Sequence, residues 1–258
     1  MKSASTAAFQ KIGLISTPWP LYNRPSIQLG TLKAFLQARV PDLRIEVFHF
    51  YLLLAEAIGY RFYQEISERS WLAESTYAAL LYPKRFKKAQ ALYSKESVGN
   101  SILRQAEFKT LTSRIKKVTD AFLRRQSWNT YQLLGFTISY CQLTSALYVI
   151  KWLKKRFPEL IIVVGGSSTS GHTAHGLLKK FPEIDFVVNG EGETPLYQLI
   201  EHLRRRPLDL DLSKIQGVIT NLTRPDDSFD DSFSQLENLN EVPVPDYDDY
   251  FDLLKTFN

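Results

Sequence analysis

Four consecutive β-branched apolar residues, Ile161, Ile162, Val163 and Val164, run directly into Gly165 and Gly166. A run that is apolar at every position, rather than at alternate ones, needs cover on both faces, as in the middle of a parallel sheet flanked by helices. About one helix later, a second apolar strand ending in Val188 is followed by Asn189, Gly190, Glu191, Gly192 and Glu193. Glycines placed immediately after buried strands let the backbone approach a ligand at the carboxyl edge of a sheet. Open α/β folds bind their ligands at that edge.

Hydrophobic periodicity predicts strands over residues 11–16, 44–48, 132–138, 160–164, 185–188 and 216–220. Helical patterns cover 27–39, 145–157, 174–181 and 195–205. Alternating strands and helices imply right-handed crossovers, and hence a doubly wound, mainly parallel, flavodoxin-like α/β sheet. The interval from 52 to about 125 breaks this alternation, and a structureless loop of that length has no place in a compact domain. It reads as a helical insertion between the second and third strands, packed at one end of the sheet and punctuated at Pro83 and near Gly99. Its aromatic residues, among them Tyr60, Phe62, Tyr63, Trp71 and Tyr77, are expected to be core. The expected domains are therefore 1–51 with 127–222 as the α/β unit, 52–126 as the insertion, and 223–258 as an acidic loop followed by an extended, proline-limited connector.

Several function classes lose support. The net charge of +5 is spread over 258 residues, and its basic clusters at 84–88 and 104–125 have the spacing of solvated helix faces, which argues against nucleic-acid binding. No apolar run reaches the roughly 18 residues of a membrane span, and the amino terminus lacks the apolar core of a signal peptide. With Cys141 the one cysteine, there is no disulfide framework, and the expected location is cytoplasmic. There is no G-x-G-x-x-G after the first strand, no Walker motif and no G-x-S-x-G elbow. His172 and His175 lack an evident third metal ligand, and Cys141 lacks a neighbouring cation that would activate it.

The loops after the strands carry what remains. Ser16, Thr17, Pro18 and Trp19 follow the first strand; Ser139, Tyr140 and Gln142 the third; Gly165, Gly166 and Ser167 the fourth; and Gly190, Glu191 and Gly192 the fifth. Together they offer glycine backbone, small hydroxyls and an amide, which suit a large, flat, amide-rich or nucleotide-bearing ligand. Glu193 is expected to accept backbone N–H groups at the start of the next helix, while the role of Glu191 stays open.

As a set, these loops resemble the cobalamin-binding N-terminal domain of cobalamin-dependent radical S-adenosylmethionine enzymes. The general features are Gln28-Leu29-Gly30 opening a helix, the strand Gly135-Phe136-Thr137-Ile138-Ser139, the Gly-Gly turn and the Gly-Glu-Gly-Glu turn. More particular features are Pro18-Trp19, then Arg24-Pro25-Ser26-Ile27-Gln28-Leu29-Gly30, Ala57-Ile58-Gly59 and Pro245-Asp246-Tyr247-Asp248-Asp249-Tyr250-Phe251. These look like the radical S-adenosylmethionine C-methyltransferases that mature ribosomally made peptides.

The resemblance implies cobalamin, as methylcobalamin, held at the sheet edge, and adds Gln28 to the candidate cofactor-binding residues. It places Trp19 and Tyr22 under the corrin, and Ser139, Gly165, Gly166, Gly190 and Glu191 along the nucleotide-tail channel. It further implies a radical S-adenosylmethionine barrel domain as partner, carrying a [4Fe-4S] cluster and S-adenosylmethionine, and a peptide as substrate. One cysteine cannot form the cluster's three-cysteine motif, so this chain is expected to be the cobalamin half alone. The loop after the first strand, Ser16-Thr17-Pro18-Trp19-Pro20-Leu21-Tyr22, has no histidine, so binding is expected to be base-off and without histidine on cobalt. A cofactor-free flavodoxin-like interaction or regulatory module and a nucleotide- or S-adenosylmethionine-binding enzyme on the same fold remain as alternatives.

Overall fold

The computed structural model describes residues 9–205, 215–220, 233–236 and 238–257. Of the acidic stretch expected to be a loop, 223–232 lie outside the described residues.

The elements run β1 (Lys11–Ser16), α1 (Ile27–Arg39), β2 (Arg44–His49), α2 (Phe50–Ile58), α3 (Tyr60–Ser67), α4 (Ser70–Leu81), α5 (Phe86–Glu96), α6 (Ser101–Arg104) and α7 (Phe108–Arg125). They continue as β3 (Leu133–Thr137), α8 (Leu143–Arg156), β4 (Ile161–Gly165), α9 (His172–Lys180), β5 (Phe186–Val188), α10 (Glu193–Arg205), β6 (Val218–Ile219) and α11 (Asp248–Leu254). The strands form one six-stranded sheet in the order β2-β1-β3-β4-β5-β6, parallel except for β6. Order reverses between β1 and β3, so α1 leaves that crevice on one side and α8 on the other.

The sheet separates two cores, because successive side chains on a strand point to opposite faces. On one face Ile12, Leu14, Ile45, Val47, Leu133, Val163 and Val188 meet α1 and α10. On the other, Ile15, Leu134, Phe136, Ile162, Val164 and Val187 meet α8, α9 and the inserted helices. The expected insertion is helical throughout, starts directly after β2, and turns at Pro83 and at Gly99. Its interior is continuous with the α8 side of the sheet, and the buried aromatics Tyr63 and Tyr77 belong to that core. Trp71 does not, being 67% exposed.

The carboxyl-terminal segment differs from the extended connector expected of it. Only its first part is extended, and α11 folds back against α1 and β2. Tyr250 is buried, stands 5.4 Å from the His49 ring, and donates its hydroxyl to the carbonyl of Tyr22 at 2.9 Å. Lys33 pairs with Asp246 at 2.9 Å and with Asp249. A proline-limited segment thus delivers an aromatic anchor to a prepared surface.

Candidate functional site: a crevice at the carboxyl edge of the sheet

Strand register sets the floor of the site. Ser16, Thr137 and Gly165 form one row across β1, β3 and β4, and Leu14, Gly135 and Val163 form the row one pleat deeper. Both rows face α1 and α10, since they alternate with residues of the opposite core. Gly135 and Gly165 therefore lie on neighbouring strands, one row apart and on the same face. Their absent side chains cut a diagonal trough from the edge into the sheet. A Cβ on Gly135 would come within 2.9 Å of the Leu14 side chain, and one on Gly165 within 3.4 Å of Val188 Cβ.

Above this trough is a cavity of about 390 Å³. Leu14, Val163 and Val188 line its floor, Leu29 and Leu32 of α1 and Leu196 of α10 its walls, and Phe233 its outer side. Gln28, Thr137, Ser167, Ser170, Glu191 and Glu193 line it as well, and all belong to the edge row, to the turns after the strands or to the first turns of α1 and α10. The volume and the mostly apolar lining suit a flat organic group entering from the polar edge.

The Gly-Glu-Gly-Glu turn is occupied largely by protein contacts. Glu191 accepts the N–H of Leu236 through its carboxylate, and its own N–H donates to the Ser234 carbonyl at 2.8 Å. Ser234 N–H in turn donates to Asn189 at 3.1 Å. Gly190, at φ +99°, allows this strap to lie against it, because a Cβ there would run into the Ser234 backbone. Glu193 opens α10; burial raises its pKa, against the N–H groups of Glu193 and Gly192, which favour the charged form. The role expected for it at the helix start fits these contacts.

Of the expected cofactor-binding residues, Gln28, Gly165, Gly166, Ser167, Gly190, Glu191 and Gly192 line the cavity. The other seven do not. Gln142 forms a buried bracket: its Oε1 accepts the Ser139 N–H at 3.0 Å, and its Nε2 donates to Ser16 Oγ at 3.1 Å and to the Thr17 carbonyl at 2.8 Å. Gln142 thus satisfies polar groups of Ser16, Thr17 and Ser139 that the loops would otherwise offer to a ligand. Pro18 gives its carbonyl to Ser145 Oγ. Trp19 is 2% exposed and packs 4.9 Å from Tyr63, inside the core of the inserted helices rather than beneath an open edge. Tyr140, by contrast, is 69% exposed at the rim. Tyr22 is half-buried against Tyr60.

The apolar lining lies outside the loops that follow the strands. Gly135 carried a signal, being a glycine inside an otherwise apolar strand, a place where another group often approaches closely. Leu14, Val163, Leu29, Leu32 and Leu196 carried none, since nothing in their spacing separates a cavity wall from a filled core. Among the described residues, no group of three or more His, Cys, Asp or Glu side chains is arranged to hold a metal ion, and no helix is long and apolar enough to cross a membrane.

No family model and no curated protein sequence matches the chain. Among solved structures, it is similar to the cobalamin-dependent S-adenosylmethionine radical enzyme OxsB with aqua-cobalamin bound. The TM-score is 0.51 at 16% identity, over 96% of this chain and 25% of that one. It also matches the radical S-adenosylmethionine methyltransferase TsrM from Kitasatospora setae, with tryptophan substrate and a S-adenosylmethionine analogue bound, at a TM-score of 0.46 and 14% identity, over 82% of this chain and 28% of that one. The chain thus spans about a quarter of the length of these enzymes. At such identity the likeness to OxsB is one of fold: a doubly wound α/β domain with its attached helices.

Proposed function

We propose that this chain is a cobalamin-binding domain that serves a radical S-adenosylmethionine C-methyltransferase acting on a ribosomally made peptide. The observation that carries this reading is the trough of Gly135 and Gly165, which opens an apolar cavity at the carboxyl edge beside the β1–β3 crevice. Support comes from a fold shared with an enzyme whose structure contains aqua-cobalamin.

The residues fit such a group. Leu14, Leu29, Val163, Val188 and Leu196 would enclose the nucleotide tail, with Gln28, Thr137 and Ser167 meeting its polar portion at the mouth. Exposed Ile27 and Tyr140 present apolar surface near the rim, where a corrin face would lie. When bound, cobalamin supplies a cobalt centre that carries a methyl group, and the chain's part is to hold and orient the cofactor and to shield it from water. The loop between β1 and α1 contains no histidine that could replace the cofactor's own base, and the cavity would hold that base together with the nucleotide tail. Cluster, S-adenosylmethionine and peptide belong to a barrel domain acting with this one, because Cys141 alone cannot ligate a cluster.

Hydroxocobalamin added to the purified chain should stay with it through desalting and show a base-off absorbance. Gly165→Leu should lose the cofactor while keeping the wild-type melting temperature within a few degrees, since its side chain enters the cavity and not the filled core. Colourless eluate from the wild type under both oxidising and reducing conditions would sink the proposal and favour a cofactor-free module.

A further inference from the structure

The cavity changes character with depth. At the row of Thr137 and Gly165 it has hydroxyls, an amide and carboxylates nearby; one row deeper, at Leu14, Gly135 and Val163, the side chains are hydrocarbon or absent. Leu29 and Leu196, both buried, close this deeper part from the helix side. The backbone gives it nothing polar either, since Leu14, Gly135 and Val163 are central members of the β1–β3–β4 ladder, whose N–H and C=O groups serve one another. Whatever enters past Gly165 exchanges water for hydrocarbon.

We propose that this deep end selects the lower base of the cofactor, taking an apolar fused-ring base such as dimethylbenzimidazole and discriminating against purine bases, with Gly135 as the residue that sets the depth. The inference rests on reading the cavity as the tail site. Dimethylbenzimidazole carries two methyl groups on the edge away from its sugar. Adenine carries an amine and ring nitrogens there. A polar edge stripped of water beside Leu14, Val163 and Leu196 finds no partner, which weakens binding by about tenfold to a hundredfold. Methyl groups in the same place gain from burial. The missing Cβ of Gly135 lets the Leu14 side chain lie close over the strand, within 2.9 Å of where that Cβ would stand, and so keeps the deep row open for them.

The test uses three cobamides on the same chain, titrated by absorbance and checked by retention through desalting: aquacobalamin, the analogue whose lower base is adenine, and cobinamide, which lacks the nucleotide tail. Cobalamin should bind at least about tenfold more tightly than the adenine analogue. Equal affinities for these two overturn the inference while leaving cobalamin binding intact. If cobinamide binds as tightly as cobalamin, the tail does not use the cavity, and the inference falls with that placement. If none of the three binds, the functional reading itself fails.

Two variants sharpen the result. Gly135→Ala, whose methyl the flexible end of Leu14 can accommodate, should weaken cobalamin several-fold and leave cobinamide unchanged. Val163→Thr, close in shape, brings a hydroxyl to the deep row and should narrow the gap between the benzimidazole and adenine forms. An unaltered gap in a folded Val163→Thr protein would count against selection by the deep row.

Discussion

Glu74 caps the first turn of α8 through Thr144: its carboxylate accepts the Thr144 N–H at 2.8 Å and the Thr144 hydroxyl at 2.6 Å, while its other oxygen accepts the Leu143 N–H at 3.0 Å. The inserted helices thus provide the anion that the helix amino terminus attracts. A helix start of this kind, at the carboxyl edge, is where a ligand phosphate would otherwise be expected. Here a protein carboxylate holds it, so the insertion and the sheet are joined electrostatically as well as by their common core.

Removing that cap should be costly. Glu74→Ala is expected to lower stability by about 1–3 kcal/mol, because two N–H groups and a hydroxyl lose a charged acceptor. Glu74→Gln should lose less, since its amide oxygen still accepts. Urea denaturation followed by circular dichroism checks both, and equal stability of Glu74→Ala and wild type would refute the role.

The two glycines after β4 should behave differently. Gly166 has φ +112°, and a Cβ there would come within 2.8 Å of the Ile138 carbonyl oxygen, which belongs to the backbone and cannot swing aside. Gly166→Ala is expected to destabilise by about 1–3 kcal/mol. Gly165→Ala meets nothing closer than 3.4 Å and should leave the melting temperature nearly unchanged. Thermal melts of the two single variants decide the matter.

Acid should weaken the fold through His49. Burial first, and the Lys33 charge second, hold its pKa down to about 4. The folded value lies below the ordinary value of about 6.5, so the imidazole is neutral in the fold. Its contribution is complete above pH of about 6.5 and is lost as the pH falls toward 4, by on the order of 3 kcal/mol. His49→Phe keeps a ring against Tyr51 and Tyr250 and should flatten this part of the stability profile. Asp246 acts in the same direction: desolvation works to raise its pKa, but the Lys33 hydrogen bond prevails and lowers it.

Gly30 should control the docking of α11. A Cβ there would lie 2.6 Å from the Tyr247 ring and 2.9 Å from the Asp246 carbonyl oxygen, and the Gly30 carbonyl accepts the Asp246 N–H at 3.1 Å. Gly30→Ala is therefore expected to cost about 1–3 kcal/mol through overpacking and to speed proteolysis within 242–257. Unchanged cleavage would contradict a tail held at this point.

Two motifs that look independent in the sequence turn out to be halves of one interface. Residues 22–33, which contain the motif ending in Gly30, meet the stretch from Asp246 to Tyr250 directly, through the Tyr22 carbonyl, Gly30 and Lys33. By its sequence alone the tail is a connector, because alternating prolines and acids satisfy local rules for an extended linker. Those rules carry no information about a surface some two hundred residues away.

Local patterning along the chain dictates the sheet and its edge. The unbroken run from Ile161 to Val164 demands two covered faces, strand and helix patterns alternate, and glycines mark the turns after β4 and β5; each is a local property of consecutive residues. Long-range contacts decide which of those turns border the cavity. Gln142 became a bracket, Trp19 became core and Glu191 took up Leu236, because distant segments supplied their partners. Tertiary structure also decided that Gly135 and Gly165 act together, since only strand register puts glycines from two neighbouring strands one row apart on the same face. The cavity they open is a relation between strands, which no single stretch of chain contains.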